Sequence, residues 1–108
     1  MSKVLVGKTG WNQESGATKI DKAIIRNNEL EIVIEFNADN YIYTATLEKD
    51  FDKNNYKGSF SKRNGSDIGT GTIFCSLIKY DEDTILFGRW LENNITYYWW
   101  AELYDSDQ

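Results

Sequence analysis

The chain has 108 residues, the span of one ordinary domain, and its 41% hydrophobic and 15% aromatic side chains suffice for a modest folded core. A formal charge of −5, from 17 acidic and 12 basic side chains, disfavours phosphate backbones and anionic membrane surfaces as partners. Histidine is absent and Cys75 is the single cysteine, which excludes an internal disulfide, the commonest zinc ligand and Ser-His or Cys-His nucleophile pairs.

The residues Met1 to Gly7 hold an apolar run too short for a secretory signal, and no stretch approaches the roughly 20 apolar residues of a membrane span. A cytoplasmic protein is the expectation. One domain covering residues 1–108 is expected as well, because no linker or low-complexity segment interrupts the chain.

Helical periodicity is missing: no window of a dozen residues repeats apolar side chains at i, i+3, i+4 and i+7. Strand signals take its place. Runs of Ile, Val, Thr, Tyr, Phe and Trp alternate with clusters of Asn, Asp and Gly. The first strand is expected over Lys3 to Lys8, followed by a Gly/Ser/Asn-rich loop from Trp11 to Thr18. Lys19 to Arg26 and Leu30 to Phe36 form a hairpin turned at Asn27-Asn28, residues that tolerate positive φ. That register sets Arg26 against Glu29. Leu30, Ile32, Ile34 and Phe36 share one face of the third strand, and Glu31, Val33 and Glu35 the other. Tyr41 to Glu48 follows an Asn37–Asn40 turn, and Lys49 to Asn55 is a polar loop. Tyr56 to Arg63 pairs with Ile68 to Tyr80 across Asn64–Asp67. Gly69 and Gly71, on one face of that sixth strand, mark a bend or a close backbone approach. After the Asp81–Asp83 turn, Thr84 to Leu91 and Ile95 to Tyr104 close the series through Asn93-Asn94.

These eight strands joined by short turns predict an all-β, antiparallel up-and-down meander. Closing the meander into a small barrel removes its two exposed edges, so the barrel is the first expectation and a two-sheet sandwich the second.

The meander, with Gly88-Arg89-Trp90 and the following Tyr98-Trp99-Trp100, resembles the calycin group of lipocalins, fatty-acid-binding proteins and avidins. Lipocalins carry Gly-x-Trp on their first strand, whereas this first strand ends in Gly10-Trp11. The resemblance implies an interior pocket for a small apolar molecule. The stretch Tyr56-Lys57-Gly58-Ser59-Phe60 with Gly69-Thr70-Gly71-Thr72 is similar to one MORN repeat. The next comparable unit, Phe87-Gly88-Arg89-Trp90, comes about thirty residues on, and a solenoid needs about three repeats. Gly-aromatic hairpin chemistry accounts for it.

The last hairpin carries the candidate site. A two-residue Asn93-Asn94 turn pairs Glu92 with Ile95, Trp90 with Tyr97, Gly88 with Trp99 and Leu86 with Ala101. Leu86, Gly88, Trp90, Ile95, Tyr97, Trp99 and Ala101 then share a core face. The opposite face holds Phe87, Arg89, Leu91, Thr96, Tyr98, Trp100 and Glu102, so both faces are aromatic. An ordinary half-exposed strand has one polar face. An aromatic second face with an embedded arginine suits a recognition surface or a cavity wall. Cross-strand aromatic pairs also stabilise sheets by about 0.2–1 kcal/mol each without any function.

Other groups point less far. Glu29, Glu31 and Glu35 near Lys22 and Arg26 fit a solvated, ion-paired face. Asp50-Phe51-Asp52-Lys53-Asn54 begins like a calcium loop but has Asn55 at the sixth position and Ser61 at the twelfth, where Gly and Glu are needed. Cys75 is expected as a buried structural thiol. Lys57, Lys62 and Arg63 form a small basic cluster beside Tyr56 and Phe60.

The expectation is a non-enzymatic binding protein with no cofactor, no metal site and no catalytic set. Its partner is a small molecule or a protein, neither nucleic acid nor membrane, with homo-oligomerisation an option. In one version the barrel holds a small, partly apolar ligand, with Trp90, Tyr97 and Trp99 as walls and Arg89 or Tyr43 near a mouth. In the other the barrel is filled, and Phe87, Arg89, Tyr98 and Trp100 dock a protein or a second copy.

Overall fold

Strand-forming runs punctuated by turn residues fold as that pattern dictates. The computed structural model describes residues 3–12, 16–50 and 54–105. Its strands are β1 (Lys3–Trp11), β2 (Thr18–Arg26), β3 (Glu31–Ala38), β4 (Tyr41–Lys49), β5 (Asn55–Asn64), β6 (Asp67–Tyr80), β7 (Asp83–Glu92) and β8 (Ile95–Tyr104). Each pairs antiparallel with the next, and β1 pairs with β8 to close a barrel. The sandwich alternative is thereby excluded. Among the described residues no helix is long and apolar enough to cross a membrane.

Turn chemistry follows the asparagines and aspartates. Asp39-Asn40 have φ of 51° and 68°, and Asn93-Asn94 have 54° and 64°, the left-handed pair that a two-residue hairpin needs. The β2–β3 turn departs from the sequence expectation. It takes four residues, Asn27 to Leu30, and Arg26 pairs with Glu31 instead of Glu29. Leu30 leaves the strand and is exposed. Glu29 adopts φ 69°, a left-handed conformation that costs a non-glycine residue about 1 kcal/mol. Long-range contacts offset that cost: the Tyr56 hydroxyl donates to the Glu29 carbonyl at 2.6 Å, and Lys79 Nζ lies 3.1 Å from the Glu29 carboxylate.

Alternation places the core. Ile32, Ile34 and Phe36 of β3 are buried inside the barrel, as are Tyr43, Ala45 and Leu47 of β4. Aliphatic side chains (Leu5, Ile25, Ile32, Leu47 and Leu103) fill the end nearest the β2–β3 turn. Rings gather toward the end that carries the 39–40 and 93–94 turns. Trp90 is their centre, with Phe60 at 4.0 Å, Trp11 at 5.2 Å, Trp99 at 5.6 Å and Tyr43 at 6.0 Å between centroids. Such pairs contribute about 0.5–1.5 kcal/mol each beyond the area they bury. Trp11 is a correction: it ends β1 and points inward, rather than opening the loop that runs to Thr18. Ile95 is another, since it stands at the barrel rim and is 46% exposed.

The wall bends where side chains are missing. Gly88 faces inward between Leu86 and Trp90, and a Cβ there would come within 2.0 Å of the Phe74 carbonyl oxygen and 2.6 Å of Cys75 Cα. Backbone cannot give way as a flexible side chain can. Gly88→Ala is therefore expected to destabilise the fold by at least about 1–3 kcal/mol, the usual cost of overpacking, read as a lower urea midpoint. Gly65→Asn, at a turn with φ 62° and nothing within 4 Å of a Cβ, is expected to leave the midpoint nearly unchanged.

Candidate functional site

The register of the last hairpin is the one its turn implied. Trp90 pairs with Tyr97, Gly88 with Trp99, Arg89 with Tyr98 and Phe87 with Trp100. Alternation then divides the eight candidate residues into two groups. Tyr43, Trp90 and Trp99 are buried inside, and Tyr97 is half-buried at the mouth beside the 39–40 turn. Phe87, Arg89, Tyr98 and Trp100 face outward, on the other side of the wall.

On the outer face, Phe87 is 43% exposed and Tyr98 69%. Trp100 contributes less open surface. Its indole lies over Gly10 of β1, where a Cβ would come to 2.8 Å from three ring atoms. The outer face extends beyond the hairpin. Phe74 of β6 stands opposite Arg89 on one side and Lys57 of β5 on the other, and is 41% exposed. Four neighbouring strands therefore present a cross-strand row of Lys57, Phe74, Arg89 and Tyr98. Neither Lys57 nor Arg89 has an ion pair or hydrogen bond among the described residues. An open groove of about 450 Å³ runs along this face, lined by Asp50, Asn55, Lys57, Phe74, Ser76, Phe87 and Arg89 and floored at Gly88.

Sequence reasoning missed Phe74, and it placed Lys57 only in a basic cluster with Lys62 and Arg63 rather than beside the last hairpin. The expected turn at residues 64–67 sets Phe74 against Lys57, whereas the pairing with Arg89 follows from a turn of two residues, Asp81-Glu82, one shorter than the Asp81–Asp83 turn expected. The small basic cluster Lys57, Lys62 and Arg63 comes apart for the same reason. Lys62 turns in toward the mouth while its neighbours face out.

The mouth has a polar rim. Lys62 forms an ion pair with Glu92 and sits 4.9 Å over the Tyr41 ring. Glu92 also accepts a hydrogen bond of 3.0 Å from the Trp90 indole N–H. The hydrogen bond from its ammonium to the Glu92 carboxylate raises the Lys62 pKa. Tyr41 donates its hydroxyl to Asp67, which raises the Tyr41 pKa. Beside this rim lies a recess of about 70 Å³ lined by Trp11, Ala38, Asp39, Tyr43, Trp90 and Tyr97.

Cys75 is buried in β6, and burial pushes its thiol up to about 12. A protonated thiol inside the wall is no nucleophile. Of the acidic candidates, Glu31 pairs with Arg26 and Glu29 with Lys79, while Glu35 stands opposite Lys22. Residues 51–53 of the calcium-like stretch lie outside the described residues. Among the described residues, no three His, Cys, Asp or Glu side chains converge as metal ligands.

Compared with known protein families, curated proteins and solved structures, the chain matches none.

Burial of two neutral acids has a consequence at high pH. Tyr56 is likewise pushed up to about 12, first by burial and then by the charges of Glu29 and Cys75. The folded chain keeps both protons where the unfolded chain, with ordinary values of 9.0 and 10.0, has released them. Stability therefore falls as pH rises above about 9 and keeps falling to about 12. Urea midpoints measured through this range should decline, and Tyr56→Phe should flatten the decline above pH 10. The Cys75 thiol should resist a disulfide reagent in the folded protein and react once urea unfolds it.

Proposed function

We propose that this chain is a non-enzymatic docking module whose outer face on β5 to β8 binds a segment of another protein, one that sets carboxylates beside apolar side chains. The observation that carries this reading is the row Lys57, Phe74, Arg89 and Tyr98, with Phe87 alongside: exposed rings and two cations without an ion pair among the described residues, on a chain of net charge −5. Aromatic side chains and arginine are enriched among the residues that dominate binding energy. Among the described residues, ion pairs engage Arg26, Lys62 and Lys79, whereas Lys57 and Arg89, like several other surface cations, have none; what sets these two apart is their place beside exposed rings.

Charge also argues for a different chain as the occupant. A two-fold contact through this face would bring the Lys57 and Arg89 of one copy close to those of the other, and like charges in a desolvated patch oppose association. An acidic segment meets the cations directly, and its apolar side chains cover Phe74 and Phe87. The interior supports the same choice. Trp90 and Trp99 are 1% and 2% exposed and in ring contact, which leaves a small ligand room at the mouth rather than in the middle of the barrel. The closed meander and Gly88-Arg89-Trp90 support a grouping with calycin-type barrels by architecture, and the packed interior distinguishes this chain from ligand-filled ones.

A displayed library of random peptides tests the proposal on the folded protein. Selected peptides should be rich in Asp or Glu next to Leu, Phe or Trp. Arg89→Glu should weaken them by about tenfold or more, and added salt should weaken them further. Thermal unfolding of the variant should be unchanged, because Arg89 makes no contact that the fold requires. Selection of peptides without acidic residues, or of acidic ones indifferent to Arg89→Glu, would overturn it.

A further inference from the structure

We infer that the mouth of the barrel beside the 39–40 turn binds a small organic cation with a head of about the size of a trimethylammonium group. The site is the recess between Trp11, Ala38, Asp39, Tyr43, Trp90 and Tyr97, on the opposite side of the wall from the docking face.

Three of its rings form a corner. Trp11 and Trp90 are near perpendicular, at 87° and 5.2 Å between centroids. Tyr43 is inclined at 46° to Trp11 and at 52° to Trp90, with centroids 6.4 and 6.0 Å away. Tyr97 adds a fourth ring at the rim. Rings standing at steep angles around a small hollow are the arrangement that holds quaternary ammonium groups, whose charge is spread over methyl surfaces and is weakly hydrated. The hollow holds about 70 Å³, several times the space one water needs and too little for a drug-sized molecule.

Charge selects the sign of the ligand. Asp39 is exposed at the rim and makes no ion pair or hydrogen bond among the described residues. The nearby Lys62 is neutralised by Glu92 and rests over Tyr41, so a tyrosine ring at this mouth already accepts one cation. The donor edge of Trp90 is engaged by Glu92, which removes it as a handle for an anion. What remains is ring surface and one free carboxylate on a chain of net charge −5.

Choline and its neutral carbon isostere, 3,3-dimethylbutan-1-ol, separate this reading from simple apolar filling. Tryptophan emission is followed against each, with sodium chloride matching the ionic strength. Choline should give a saturable change, and the isostere should bind about tenfold more weakly. Asp39→Asn should weaken choline severalfold. Tyr97→Ala, at a half-buried position, should weaken it further while the unfolding temperature reports an intact fold. Arg89→Glu should leave choline binding unchanged, which keeps the outcome separate from that of the docking face. Equal binding of choline and the isostere, an Asp39→Asn variant that binds as the parent does, or a choline response no different from that of sodium chloride would each overturn the inference.

Discussion

The seam between β1 and β8 is the contact on which the barrel depends. The Trp99 indole donates to the Thr9 hydroxyl at 2.6 Å, and that hydroxyl donates to the Trp100 carbonyl at 2.7 Å. Thr9 is fully buried and its bond from Trp99 is buried with it, so losing that bond would leave a polar group unsatisfied away from water. The same seam sets Trp11 opposite Trp99 and Gly10 opposite Trp100. Without it two strand edges would open, Trp11 would leave Trp90, and the outer indole of Trp100 would lose the glycine it covers. Ring packing inside and ring packing outside are therefore consequences of one strand pairing, made across nearly the whole length of the chain.

Local patterning carried most of the architecture. Strand β8 runs from Ile95 to Tyr104 as its composition implies, and the Asn93-Asn94 turn fixes four cross-strand pairs of the last hairpin without any knowledge of the rest. Failures came where a distant contact decides a local conformation. Asn27-Asn28 has the composition of a two-residue turn, yet the chain continues to Leu30 because Tyr56 and Lys79 hold Glu29 from other strands. Gly10-Trp11-Asn12 reads as the start of a loop, and only pairing with β8 draws Trp11 into the interior. Ile95 has the parity of a core residue but sits beyond the packed rings, where parity no longer implies burial.

The candidate residues were legible as a set and not as a site. Composition marks β7 and β8 as unusual because both faces are aromatic, but two faces of one hairpin cannot serve one ligand. Successive residues Arg89 and Trp90, or Tyr97 and Tyr98, lie on opposite sides of the wall. Barrel closure converts that alternation into separate surfaces, a packed interior with a ring-lined mouth and an outer face with a cationic row. Phe74 and Lys57 join the outer face through two further turns, and they become informative only once the exposure of each ring is known.

Electrostatics then gives the two surfaces opposite characters within an acidic chain. Paired cations rigidify the ends of the barrel: Lys79 holds the β2–β3 turn through Glu29, and Lys62 holds the mouth through Glu92. Exposed ion pairs such as Arg26 with Glu31 contribute little to stability, on the order of 0–1 kcal/mol. Lys57 and Arg89 follow neither pattern: among the described residues they make no ion pair, and they stand beside exposed rings. At the mouth the imbalance is reversed, with Asp39, unpaired among the described residues, beside rings. Of the charges without an ion pair among the described residues, those of Lys57, Arg89 and Asp39 lie next to aromatic surface. Desolvating such a charge is costly unless a complementary group arrives with the covering surface. On the proposed readings both surfaces would discriminate by sign as well as by shape, an apolar ligand of the wrong charge being rejected by the same groups that favour the right one.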